Sequence, residues 1–118
     1  MLSTLVDQVR TSGPRPNTEF LASSLGADVL TEQKHVRVTP QLQVVGHPSV
    51  FAAGDIIDWP EEKQFGKTID QAPVVAENMA SYLADKPLKK KYSGAPEAIF
   101  LTNGKVRVSA FFFFHQRI

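Results

Sequence analysis

The stretch Val50-Phe51-Ala52-Ala53-Gly54-Asp55 is apolar for four residues, breaks at a glycine and closes on a carboxylate. A continuous apolar run bounded by turn residues suits a strand buried on both faces, as in a parallel sheet flanked by helices. In open α/β sheets, ligands sit just beyond the carboxyl ends of such strands. There Gly54 lets a ligand approach the backbone and the Asp55 carboxylate accepts hydrogen bonds from sugar-like hydroxyls, so a polyol or ribose contact is one reading of the pair. The other is that Gly54-Asp55 is a turn and nothing more.

On the carboxyl side, Ile56 to Lys67 is polar and irregular and reads as a surface loop. Within it Trp59 either caps the core or shields a ligand. Asp58, Glu61 and Glu62 are candidate acids or bases, although a charged loop is more often simply solvated. From Ala72 the residues Ala72, Val75, Ala76, Met79, Ala80 and Leu83 fall on one helical stripe, small enough to pack closely on a sheet. Pro73 then belongs to the first turn, Thr68 or Asp70 caps the helix, and Lys86-Pro87 ends it. Its amino end favours an anion or a polarised carbonyl, as every helix start does, and the strand, loop and helix order sets it beside Gly54-Asp55. Ala98 to Thr102, Asn103-Gly104 and Lys105 to Ala110 read as a hairpin with a two-residue turn, after which Phe111 to Phe114 break the alternation.

On the amino side, Gly46-His47-Pro48 reads as a loop. Val36 to Val38 and Leu42 to Val44 alternate apolar and polar around Thr39-Pro40, which predicts two short strands joined by a turn. Before them a helix of about two turns is expected, capped by Asn17, with Glu19 in its first turn. In it Phe20, Leu21 and Leu25 share a face, and Gly26 ends it. Ser12 to Pro16 reads as a loop because two prolines fix the backbone while Gly13 frees it.

The 118 residues are 42% hydrophobic with a formal net charge of +1, figures of one small globular domain. The absence of cysteine excludes a disulfide scaffold, a thiolate nucleophile and a Cys-type zinc site within the chain. His35, His47 and His115 are too scattered for a metal set, so no metal site is expected, and no G-x-S-x-G nucleophile elbow occurs. Residues 1–84 carry a net charge of −4 and residues 85–118 one of +5. Lys89, Lys90 and Lys91 make too short a cluster for the broad basic face of a nucleic-acid binder, so a solvated connector is expected there. No apolar run approaches the roughly 20 residues of a membrane span. Met1 to Arg10 lacks the basic flank and apolar length of a signal peptide. A cytoplasmic location is the expectation, with mitochondrial or membrane-associated ones as alternatives.

Taken in order, five stretches resemble the carboxy-terminal part of the pyridine nucleotide-disulphide oxidoreductase superfamily. They are GPRPNTEFL (Gly13 to Leu21), VRVTPQLQV (Val36 to Val44), GHPSVFAAGDIIDW (Gly46 to Trp59), QAPVVAENM (Gln71 to Met79) and PEAIFLTNGK (Pro96 to Lys105). Within the superfamily they look most like the branch of apoptosis-inducing-factor-like flavoproteins, which includes the ferroptosis-suppressor proteins. The resemblance implies an α/β fold: the carboxy-terminal portion of a Rossmann-like FAD-binding domain over residues 12–85, then the start of an α+β terminal domain over 86–118. It implies FAD as cofactor, NAD(P)H as co-substrate and electron transfer through flavin to a quinone-like acceptor. By that likeness Gly54 and Asp55 match the second FAD motif, whose aspartate contacts the ribityl chain. Gln71 and Ala72 match the helix start near the flavin ring, and Lys67 stands where the branch often carries a lysine before that helix. Gly13 to Asn17 match the crossover from the nicotinamide domain back to the FAD domain. The sequence departs from the family in having no G-x-G-x-x-G, so neither glycine-rich phosphate loop is present. VRVSAFFFFHQRI (106–118) resembles nothing in the family and reads as an abrupt ending. The expectation is therefore a fragment of such an oxidoreductase, with a non-catalytic α/β module, or a truncated remnant that needs a separate amino-terminal half, as the alternative.

Overall fold

A computed structural model describes residues 15–103 and 107–113, with side chains over 15–96. The expectations for Met1 to Arg10, Gly13 and Gly104 lie outside the described residues. Helix α1 spans Glu19–Leu25 and is closed by Gly26. Thr18, not Asn17, precedes its first turn, and the Thr18 hydroxyl donates to the Lys34 carbonyl instead of capping. Leu21, Ala22 and Leu25 pack inward, whereas Phe20 is exposed. One residue step turns a helix by about 100°, so Phe20 cannot share the face centred on Leu21 and Leu25.

A short 3₁₀ turn at Ala27–Val29 leads into β1 (Val36–Arg37), followed by β2 (Gln43–Val44), β3 (His47–Phe51) and β4 (Ile57–Asp58). The turn expected at Thr39-Pro40 is present, closed by Leu42 N–H to Thr39 O at 2.9 Å and Thr39 N–H to Gln43 O at 2.9 Å. The apolar run Val50-Phe51-Ala52-Ala53 takes a different place from the one expected. β3 begins at His47, inside the predicted loop, and pairs antiparallel with β2 through a register shift. Its residues are half-buried or exposed, and among the described residues no second strand flanks it. Pro48, which has no N–H to give a ladder, suits such an edge position. The parallel pairing instead joins β1 to β4, with Val36 opposite Ile57 and Arg37 opposite Asp58. Ile57-Asp58 is thus a strand within the segment predicted to be loop.

Helix α2 spans Phe65–Leu83, starting about two turns before the predicted Ala72, so Pro73 lies inside it. Its ring sits on the exposed side. The donor it lacks would have gone to the carbonyl of Ile69, an exposed residue whose carbonyl water can satisfy. The buried face of α2 is Lys67, Gln71, Val74 and Asn78. The apolar stripe expected to face inward is on the opposite side, with only Val75 of its members partly buried against the core. Beyond α2, residues 84–96 return along the molecule, held by Tyr92 N–H to Pro40 O at 2.8 Å and by Asn78, whose amide donates to Gln41 O and Lys90 O.

Among the described residues the core has two clusters. One gathers Val29, Leu30, Val36 and Val44 beneath α1, and the other Leu42, Ile57, Val74 and Tyr92 beneath α2. Val38, Ala52 and Ile56 pack against both. β5 (Glu97–Asn103) and β6 (Arg107–Phe113) form the expected antiparallel hairpin, but its closing pair is Asn103 with Arg107, leaving three residues between the strands. Phe111 to Phe113 continue the ladder opposite Ile99 to Glu97 and do not interrupt it.

Candidate functional site

Gly54 follows β3 and adopts φ +83°, a left-handed conformation that favours glycine. The turn it starts closes through Ile57 N–H to Gly54 O at 3.3 Å and delivers the chain into β4. Asp55, at its tip, is exposed, as a ligand-binding carboxylate must be.

Asp55 lines a crevice of about 140 Å³ together with Arg15, Pro16, His35, Ile56 and Lys63. The Lys63 ammonium is oriented by donation to Ile57 O at 2.7 Å and Trp59 O at 3.4 Å. Two cations thus stand beside one hydrogen-bond-accepting carboxylate, a combination suited to a ligand with both hydroxyl and anionic oxygens. The crevice is smaller than the 300–1,000 Å³ or so of ordinary ligand pockets, so it fits a segment of a large ligand and not the whole.

Behind the turn lies a buried polar network. The Gly54 N–H donates to Gln71 Oε1 at 2.6 Å, and Gln71 Nε2 donates to Glu61 Oε1 at 3.0 Å. Glu61, whose side chain is only 6% exposed, also accepts from the Tyr92 hydroxyl at 2.8 Å and from Ala95 N–H at 3.3 Å. Its carboxylate lies 3.7 Å from the Lys67 ammonium, which donates to Ala95 O at 2.8 Å. Burial first, and then the hydrogen bond to Glu61, push the Tyr92 phenol above its usual range, so it stays protonated as a donor. The Trp59 ring leans on Tyr92 with centroids 5.2 Å apart.

The structure therefore brings Gly54, Asp55 and Gln71 together but gives them different surroundings. Asp55 faces the crevice, while Gln71 is buried and turned toward Gly54 and Glu61. Gln71 and Ala72 stand in the second turn of α2, so the free N–H groups of the helix start belong to residues near Phe65. Lys67 is inside the helix and faces Glu61. Glu61 is a buried acceptor and not the solvated loop charge expected, whereas Asp58 and Glu62 are exposed. Trp59 caps the second cluster. Arg15, His35 and Lys63 were not distinguishable by spacing, because 48 residues of chain separate the first from the last. Only the Gly13 to Asn17 stretch hinted at Arg15. Among the described residues no group of three His, Cys, Asp or Glu side chains gathers for a metal ion, and no helix is long and apolar enough to cross a membrane.

No family model matches the chain. Over 93 residues, 79% of the chain, it is 45% identical to an FAD-dependent oxidoreductase of Flammulina velutipes, of which the match covers 28%. Over 97 residues, 80% of the chain, it is 32% identical to the mitochondrial sulfide:quinone oxidoreductase of Schizosaccharomyces pombe, of which the match covers 20%. The similarity thus relates the chain to the FAD-dependent oxidoreductases, as a match to between a fifth and three tenths of the length of these two relatives.

Proposed function

We propose that the chain is the carboxy-terminal part of an FAD-dependent oxidoreductase of the apoptosis-inducing-factor-like branch, and that the Asp55 crevice receives the polyol segment of the cofactor. The observation that carries this reading is the 45% identity to the Flammulina velutipes relative across 79% of the chain. The crevice supports it, because an exposed carboxylate beside Arg15 and Lys63 suits a ribityl chain leading to a phosphate. Asp55 would accept hydrogen bonds from the ribityl hydroxyls, Arg15 and Lys63 would meet the phosphate charge, and Gln71 would hold the Gly54 turn in place from behind.

The chemistry that bound FAD supplies is acceptance of a hydride from NAD(P)H and release of electrons to an acceptor. A quinone-like acceptor draws support from the name of the Schizosaccharomyces pombe relative. NAD(P)H and the apoptosis-inducing-factor-like branch rest on the resemblance of Gly46 to Trp59 and Gln71 to Met79.

Fluorescence titration of the 118-residue chain with FAD tests the reading. Weak binding is expected, since a crevice of about 140 Å³ holds only part of the molecule. Asp55→Ala should weaken it about tenfold, the worth of a hydrogen bond to a charged group. Equal binding by both proteins would sink the proposal. A second reading, a non-catalytic α/β module, draws on the network around Glu61, whose buried members bond to one another. That reading expects no FAD binding and a cooperative melt.

A further inference from the structure

A second crevice, of about 330 Å³, lies where the carboxyl end of α2 meets the segment returning from it, and shares no lining residue with the Asp55 crevice. Its walls carry Lys86, Lys89 and Lys90 from the returning segment and Glu77, Asn78 and Ser81 from the helix. Three ammonium groups against one carboxylate leave a net charge of +2.

The fold fixes where these groups stand. Asp85, at φ +52°, turns the chain back after the helix, and Lys86 N–H donates to Ser81 O at 2.9 Å. Further on, the Asn78 side chain holds both backbone groups of Lys90, donating to the C=O at 2.8 Å and accepting from the N–H at 3.2 Å. Pro87 stiffens the backbone between these anchors, so Lys89 is presented from chain that is held on either side. The Glu77 carboxylate lies 3.1 Å from the Lys90 ammonium and draws that charge toward the helix.

Lysines at the carboxyl end of a helix ordinarily serve its last carbonyls. Here the backbone already serves them. Ala80 O and Ser81 O accept from Ala84 N–H, Tyr82 O from Asp85 N–H, and Ser81 O again from Lys86 N–H. Lys86 and Lys89 are exposed, and among the described residues neither has an ion-pair partner.

The residue types select the ligand. None of the described lining residues is an arginine. A planar carboxylate is best met by the paired donors of a guanidinium, whereas a phosphoryl group spreads its charge over three tetrahedrally placed oxygens and accepts separate point charges. The Ser81 hydroxyl adds a neutral donor, and the Glu77 carboxylate accepts from hydroxyls. The volume reaches the lower end of the 300–1,000 Å³ or so of ordinary ligand pockets, so a small metabolite fits whole.

We propose that this crevice binds a phosphorylated polyol, with the phosphoryl group on Lys86 and Lys89 and the hydroxyls toward Ser81 and Glu77. The site is distinct from the proposed FAD crevice and stands whether or not the FAD reading does. A free sugar phosphate and the inositol phosphate headgroup of a lipid share this chemistry, and the test separates them.

Calorimetric titration of the 118-residue chain with inositol monophosphate, inositol and citrate is the first arm. Inositol monophosphate should bind, and more tightly than either of the others. A double variant, Lys86→Gln with Lys89→Gln, should bind it about tenfold more weakly, the worth of a charge-assisted hydrogen bond. Both lysines are exposed, so the circular dichroism of the variant should match the parent. The second arm is co-sedimentation with phosphatidylcholine vesicles carrying phosphatidylinositol phosphate. Retention that the double variant loses supports the site with a lipid headgroup as ligand, and binding in solution alone supports it with a free metabolite. Absence of binding in both arms, citrate bound as tightly, or binding that the double variant keeps would each overturn the proposal. So would a loss of FAD affinity in the double variant equal to that of Asp55→Ala, because both crevices would then serve one ligand. Failure of the parent to bind FAD removes the proposed function and leaves this site untouched.

Discussion

Glu61 shows how much one side chain can organise, since its carboxylate serves Tyr92, Gln71 and Ala95 and faces Lys67. Removing it by Glu61→Ala takes the facing charge from the buried Lys67 ammonium and leaves several donors without their acceptor. A loss of about 3–5 kcal/mol in urea unfolding is expected, and Glu61→Gln, which keeps an acceptor, should cost less. Tyr92 adds a pH dependence of definite sign. Its folded value lies above the ordinary 10.0, so its contribution is complete below pH 10 and fades as the pH climbs toward the raised folded value. An ultraviolet titration of folded Tyr92→Phe should accordingly lack the latest-ionising phenol of the parent. At Gly54 an added Cβ would come no closer than 3.6 Å, to the Thr68 hydroxyl, so Gly54→Ala meets strain and not collision. With φ at +83° that strain should cost about 1–2 kcal/mol. The Gly54-Asp55 turn was legible in the sequence because glycine followed by a short polar residue breaks an apolar run. Glu61 was not, because a carboxylate in a charged stretch looks the same whether water or a buried phenol receives it.

At the scale of elements, α2 was legible as a helix and illegible as to which side it buries. Periodicity reports that Ala72, Ala76, Met79 and Leu83 share a face, but not whether anything covers that face. Its first two turns were hidden because Pro73 is so common at a helix start that it argues for one there. A proline in a helix interior costs about 3 kcal/mol relative to alanine. With Ile69 exposed, water can bond its carbonyl and recover part of that, and Pro73→Ala should raise stability by about 1–3 kcal/mol, read as a higher urea midpoint at unchanged slope. The β3 edge position was hidden for a related reason: an apolar tetrapeptide fits a strand between two neighbours or one waiting for a second.

Across the whole molecule, the two core clusters share Val38, Ala52 and Ile56 and should therefore melt together. Ile57→Ala, at a fully buried site of the second cluster, is expected to cost about 2–4 kcal/mol and to lower the α1 and α2 transitions alike, which site-specific probes on each helix would record. Lys89, Lys90 and Lys91 read as a solvated connector and their side chains are exposed, yet the backbone there is fixed: Asn78 holds both the N–H and the C=O of Lys90, and Tyr92 N–H is held by Pro40 O. A protease needs several consecutive residues freed from such bonds before it can draw them into its cleft. The richest run of trypsin sites in the chain should thus survive brief digestion, and Asn78→Ala should make it the first place cut.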